Sequence, residues 1–464
     1  MKKTIAIIAL VCCTALQMTA QTLNIQQGQV VYAIPASQAG SMTYQDGIIS
    51  IMNKNYDVNA ISSMVVDESQ VTDNTVKVSY NGETATVTIA GNIAHLVNAE
   101  VSGAHVTIEQ LTTADATEGS EITYTLSGTT GNGSFYMDGE YKATLELNNV
   151  SINNQDSAAI NIQDGKRIKV VLTDGTTSTL RDEYLSGIST TEQDLDCHNA
   201  CFYVQGHTEM EGTGTLNVYG QMKHAFTSNE YCEVKTNATL NLNSTNGDAM
   251  HIGQYFHLMA GSITATAYGD GLDLSKKKDT TKEQNGEIII DGGNLDITTT
   301  GGGSKTIKGE GTFVMNDGTL TLLAMGDGGK LLSTDGSITI NGGSLTGFTT
   351  GNILGAGTDD ESKPHALKSD SDIAINGGTV MVAASEEDGK AFKTDYKLLI
   401  NGGTIMGIGA KKSSPASASQ QGYKMYSDQV IKAGSSYTKD GVTFTISDAY
   451  SNSDAKVLVS KAGM

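Results

Sequence analysis

Four basic residues recur at one place in a repeating frame of this chain. His251 follows Met250, Lys308 follows Ile307, Lys368 follows Leu367 and Lys393 follows Phe392, each about nine residues before a turn of the Asn-Gly-Gly type or a degenerate copy of it. Phe226 and Leu332 hold the same apolar place, with Ser333 interrupting the basic series. Side chains alternate across a strand, so if the apolar residues point inward the basic ones point outward. Cations repeated at the strand spacing of about 4.8 Å would match the repeat of an extended anionic polymer such as a polyuronate. The plain alternative is a row of solvated lysines interleaved with acids. A second set of residues sits just ahead of this row, in Gly247-Asp248, Gly269-Asp270-Gly-Leu-Asp273, Gly326-Asp327-Gly and Glu387-Asp388-Gly. Carboxylates stacked at one corner repel each other, and either hold their protons or recruit a cation. Hard oxygen ligands suit Ca²⁺. Calcium is therefore expected at Asp248, Asp270, Asp273, Asp327 and Asp388, best at the first three, against the ordinary use of Asp-Gly in turns.

These residues need a frame that brings distant segments into register, and the sequence supplies one. Asp291-Gly-Gly-Asn-Leu295, Asn316-Asp-Gly-Thr-Leu320, Asn341-Gly-Gly-Ser-Leu345, Asn376-Gly-Gly-Thr-Val380 and Asn401-Gly-Gly-Thr-Ile405 start 25, 25, 35 and 25 residues apart. Degenerate copies continue upstream to about Asn148, and polar insertions (276–284 and 349–363) occupy the long steps. Short β-branched runs flank each copy, and glycine at this density would damage helices. A period of 22–25 residues with turn glycines is that of a stacked coil that cannot bury its apolar face alone. The expected fold is all-β, a right-handed parallel β-helix (solenoid) with small β caps at both ends. Its expected divisions are an N-terminal β region (21–115), the helix (116–425) and a C-terminal cap (426–464). Caps are required because an open end leaves backbone unpaired.

Composition narrows the partners. With 30 Lys+Arg against 51 Asp+Glu the net charge is −21, which disfavours nucleic acid and anionic membranes. No run beyond the first twenty residues approaches the ~18 apolar residues of a membrane span, so no membrane insertion is expected. Lys2, Lys3, the apolar stretch from Thr4 to Leu16 and Ala20 before Gln21 read as a secretory signal peptide (1–20), placing the product outside the cell or at its surface. Cys197, Cys201 and Cys232 remain, read as one disulfide and one buried thiol. Trp is absent, so a flat platform for neutral sugars would have to come from Tyr219, Tyr231, Tyr255 or Tyr268. That tilts the ligand toward charged polymers.

The Gly-Asp segment, the strand after it and Ile-Asn-Gly-Gly-Thr together resemble a family of secreted bacterial carbohydrate-binding β-helix domains, itself similar to calcium-dependent pectate lyases. The resemblance spans about residues 120–425 and includes Leu145 to Ile152 and Lys169 to Gly175. It implies binding of an acidic or cellulosic plant polysaccharide, with calcium at Asp248, Asp270, Asp327 and Asp388. The chain departs from the pattern at Ser304-Lys305-Thr306-Ile307 and at Leu331-Leu332-Ser333. The function expected is a calcium-assisted polysaccharide binder, monomeric by default, with no catalytic residue assigned. The alternatives are a lyase, for which Lys276, Lys277 and Lys278 beside Asp273 are the local base candidates, or a rod-like surface adhesin.

Overall fold

The structure is a computed structural model and describes residues 21–111, 121–183, 199–278 and 284–464. The leader, Cys197 and the boundary at 115/116 lie outside the described residues.

The described chain is all-β, with its strands in a 27-stranded sheet, a 12-stranded sheet and two small sheets of three and two strands. Between residues 224 and 409 the chain visits three strand positions in fixed order. Met250–Ile252 lies in the 12-stranded sheet, while Phe256–Leu258 and Ser262–Ala267 lie in the large one. Leu272–Leu274 then returns to pair with Met250–Ile252 in parallel. The cycle repeats until Phe392–Thr394, Leu398–Ile400 and Thr404–Gly409. Each strand pairs in parallel and in register with its counterpart one cycle earlier. Equivalent side chains thus become neighbours along the stack.

The core shows the result directly. Phe226, Met250, Leu272, Ile307, Leu332, Leu367 and Phe392 are successive register partners, all buried. Leu272 was hidden in the sequence because the insertion after Leu274 separates it from its own Asp-Gly-Gly turn. The strands on either side of both insertions keep their parallel pairing.

The Asn-Gly-Gly corners have two physical jobs. The second glycine takes a left-handed conformation, with φ of 74° at Gly343 and 90° at Gly403. A Cβ at Gly403 would meet Gly378 O at 2.7 Å, so neither the angle nor the space admits a side chain. The Asn amides form a ladder: Asn316 donates to Asp291 Oδ1 (2.7 Å), Asn341 to Asn316 (2.8 Å), Asn376 to Asn341 (2.8 Å) and Asn401 to Asn376 (2.9 Å). His257 Nε2 lies 2.8 Å from Asp291 Oδ2 at the foot of it.

At the two ends parallel pairing gives way to antiparallel. Thr75–Asn81 pairs in parallel with Ile122–Thr130 on one side and antiparallel with Thr84–Ala90 on the other. Asn452–Ser460 runs antiparallel against Thr404–Gly409 and against Tyr423–Ile431, covering the last parallel edge. A separate apolar cluster around Phe348, Phe444 and Tyr450 seats this segment.

Cys201 and Cys232 are both buried free thiols. Each fills a small core position, so the expected disulfide has no pair among the described residues. Burial pushes both thiols above their ordinary value, which suits inert packing.

Two substitutions separate core from corner. Ile307→Ala is expected to cost about 2–5 kcal/mol in urea unfolding. Asn341→Ala removes two exposed ladder bonds and is expected to cost about 1 kcal/mol. Equal losses would place the stability in the ladder instead of the core.

Candidate functional site

The outward residues of the 12-stranded sheet form one in-register column. Thr227, His251, Asp273, Lys308, Ser333, Lys368 and Lys393 are successive partners. His251, Lys308, Lys368 and Lys393 therefore share one face. Asp273 lies among them and not at the corner with the other acids.

Each row lysine carries a carboxylate partner. Lys308 Nζ is 3.0 Å from Asp273 Oδ1 and 3.6 Å from Asp270 Oδ2. Lys368 pairs with Asp370 at 2.5 Å, and Lys393 pairs with Asp395. Lys368 and Lys393 sit two residues before their acids on the same strand path, a local arrangement that needs no ligand, whereas Lys308 reaches acids of the preceding rung.

A second column precedes the first at the corner where the chain enters the sheet. Lys305 and Lys330 are register partners there, and a hydrogen-bond relay links the others. His224 Nδ1 accepts the Asp248 N–H (3.0 Å), Asp248 Oδ1 accepts the Asp270 N–H (2.7 Å), and Asp270 Oδ1 accepts the Lys305 N–H (2.7 Å). Further along, His365 Nδ1 accepts the Lys390 N–H at 3.1 Å. Each side chain thus satisfies a backbone donor one rung later, which is a structural reason for an acid or imidazole at this corner.

Asp327 and Asp388 do not belong to that column. Lys330 occupies the place expected for Asp327, and Lys390 is the rung partner at the place expected for Asp388. Asp327 is in a turn, accepting the Asn352 N–H at 2.8 Å, and Asp388 pairs with Lys363 and with Lys411. The glycines around them shift the turn by two or three residues, so the shared Asp-Gly spelling does not mean a shared position.

Asp248, Asp270 and Asp273 do come together, but with His224, His251 and Lys308. Asp248 Oδ2 lies 3.2 Å from His251 Nδ1 and 3.2 Å from His224 Nδ1. His251 Nδ1 is also 3.4 Å from Asp273 Oδ2. The two imidazoles stack at 4.7 Å with 18° between planes. Burial works against the charge of Asp248, but the imidazoles outweigh it and hold its carboxyl well below the usual range. Burial likewise opposes a charged His251, yet the Asp248 and Asp273 carboxylates push it up to about 9. His224 is driven the other way, chiefly by burial, against the pull of Asp248. Asp270 is pushed up to about 6 by burial, with the neighbouring Asp248 and Asp273 adding to the rise against Lys305. Lys330 is pushed down to about 8 by burial and by Lys305 and Lys368; its ammonium donates to Gly328 O and Ser362 Oγ.

This arrangement bears on calcium. A calcium ion asks for six to eight oxygens. Here the free sides of the three carboxylates face His251 and Lys308, and a cation would enter between Asp270 and Asp273 at the expense of the Lys308 ammonium. Of the lyase candidates, Lys276 and Lys277 are held by their backbone N–H groups on Glu310 and Asn285, and the insertion then leaves the described residues.

His224, Lys305 and Lys330 escaped the sequence reading. Their signal is the position two residues before each inward apolar residue, which counting from Asp-Gly concealed. Beside this corner a shallow cleft of about 370 Å³ is lined by Asn246, Asp248, Tyr268, Asp270 and Ser304 among others.

A family model described as carbohydrate-binding domain-containing protein matches residues 102–407. A carbohydrate-binding domain-containing protein of Acetivibrio thermocellus is 32% identical over 110 residues, 23% of this chain, and the match spans 38% of that relative's own length. A gadolinium derivative of the polysaccharide lyase-like protein from C. thermocellum superposes with a TM-score of 0.47 at 22% identity, covering 57% of this chain and 96% of that one.

His251 gives the cluster a pH signature. Its folded value near 9 lies above its ordinary 6.5. The stability it contributes is therefore complete below pH 6.5 and lost as pH rises through 9. Between those limits the wild type is expected to lose about 1–3 kcal/mol more than His251→Gln, read from thermal midpoints across the range. Parallel curves would mean that His251 is not held charged by Asp248 and Asp273.

Proposed function

The chain belongs to the family of carbohydrate-binding domain-containing proteins, and on that premise we propose that it binds acidic, uronate-containing polysaccharide outside the cell. The observation that carries the reading is the single outward column holding Lys308, Lys368 and Lys393, with Lys305 in the column beside it. With rungs about 4.8 Å apart, Lys393 stands one rung and Lys308 two rungs from Lys368, steps comparable to one and two sugar repeats of an extended chain. Polymer carboxylates would take over the ammonium groups now shared with Asp370 and Asp395, a modest exchange because exposed ion pairs are worth about 0–1 kcal/mol each. Lys305 adds charge beside the row, while Lys330 is buried with its ammonium on Gly328 O and Ser362 Oγ.

In the same reading the three-position cycle of parallel strands winds as a right-handed β-helix, the leader directs export, and the molecule acts as a monomer. Calcium assists at Asp270 and Asp273, entering as Lys308 swings toward the polymer. Asp327 and Asp388 take no part, because each sits away from that cluster with partners of its own.

The test is affinity electrophoresis of purified protein on polygalacturonate, with and without calcium, together with absorbance of the unsaturated product. Retention without new absorbance is expected, and it should weaken as salt rises. The triple change Lys308→Ala, Lys368→Ala and Lys393→Ala should reduce affinity tenfold or more. Unchanged retention in the triple variant would remove the row from the function, and absorbance growth would make the protein a lyase.

A further inference from the structure

We infer that the cleft beside Tyr268 seats an uncharged sugar ring of the bound polysaccharide. The inference rests on the polysaccharide-binding reading and adds to it a subsite of different chemistry from the lysine row.

Tyr268 differs from the other candidate tyrosines in having its ring in solvent, 57% exposed. Tyr231 and Tyr255 stack on each other at 4.8 Å, with their hydroxyls on Glu209 and Glu233. Tyr219 is covered by the Arg181 guanidinium at 4.6 Å. Tyr268 stands at the rim of a concavity of about 370 Å³, within the usual range of small-ligand sites.

Gly247, Gly269, Gly302 and Gly303 contribute only backbone to the lining of the concavity. A Cβ at Gly269 would lie 2.5 Å from Asp248 Oδ1 and 2.8 Å from Gly247 C, so the two rungs approach this closely only through glycine. The Asn246 amide, the Ser304 hydroxyl and the Asp248 and Asp270 carboxylates line the sides. An aromatic face beside several hydrogen-bonding groups suits a pyranose, which has an apolar C–H face and a hydroxyl edge.

Charge then selects which ring. Asp248 and Asp270 border the cleft together with Lys223, two carboxylates to one ammonium, so a uronate carboxylate placed there with no cation bound would meet a net like charge. A neutral ring meets no such penalty, and its hydroxyls can donate to those oxygens. The lysine column begins on the next rung, where Lys305 follows Asp270. A chain carrying both neutral and charged residues fits this change of sign better than a uniformly charged one.

Partly methyl-esterified pectin supplies neutral rings within the same backbone that polygalacturonate presents fully charged. Binding of both polymers by wild type, Tyr268→Ala and Tyr268→Phe tests the inference. Tyr268→Ala should lose tenfold or more on the esterified polymer and less than threefold on polygalacturonate, with Tyr268→Phe close to wild type on both. Equal losses on the two polymers, or no loss on either, would overturn the subsite while leaving the lysine row in place. Failure of the wild type to bind either polymer would instead remove the polyuronate reading, and this inference with it.

Discussion

Parallel in-register stacking is the constraint on which everything else depends. Once the strands of successive cycles pair position on position, a residue's neighbour is its equivalent about 25 residues away. Whatever type occupies a position is repeated along the stack or answered by its complement. Apolar positions become a continuous core, asparagines become an amide ladder, and charged positions must be compensated within a spacing of about 4.8 Å. An uncompensated column would concentrate like charge at a few ångströms, which costs more as the site loses water.

The polar corner shows compensation of that kind. Three aspartates meet on adjacent rungs, and the stack answers them with His251, Lys308 and backbone N–H groups. One oxygen of Asp248 and one of Asp270 hold the relay that satisfies the next rung's backbone. Their remaining oxygens face cationic side chains. The two carboxylates are driven in opposite directions: hydrogen bonding outweighs burial at Asp248, and burial prevails at Asp270. A difference of one rung is enough, since Asp248 lies between two imidazoles and Asp270 has only the edge of the lysine column.

Much of the fold was legible because the repeat carries its own physics. Glycine at a left-handed corner, asparagine at a ladder position and an apolar residue nine places earlier are each demanded by stacking, so they recur visibly. The outward row of His251, Lys308, Lys368 and Lys393 followed from strand alternation alone. Legibility failed where the chain leaves the stack. Around Asp327 and Asp388 the corner is made by turns of different length, so the same Asp-Gly pair falls at different heights on the strand path. Counting back from the inward residue, as with Leu332 to Lys330, locates the position correctly; counting from Asp-Gly does not. The pairing of Lys368 with Asp370 and of Lys393 with Asp395 was likewise open to view, since the acids stand two residues on.

The regular corners have a consequence for the length of the molecule. Asn316 and Asn341 occupy the same corner one cycle apart, joined by an amide hydrogen bond. Excising residues 316–340 would join Met315 to Asn341 at a chemically identical junction, setting Asn341 on Asp291 and Lys368 directly above Lys308. The stack would be one storey shorter and would lose the serine that interrupts its basic row. Length and charge density are thus adjustable by whole-unit deletion or duplication, a form of variation that a closed globular core does not permit.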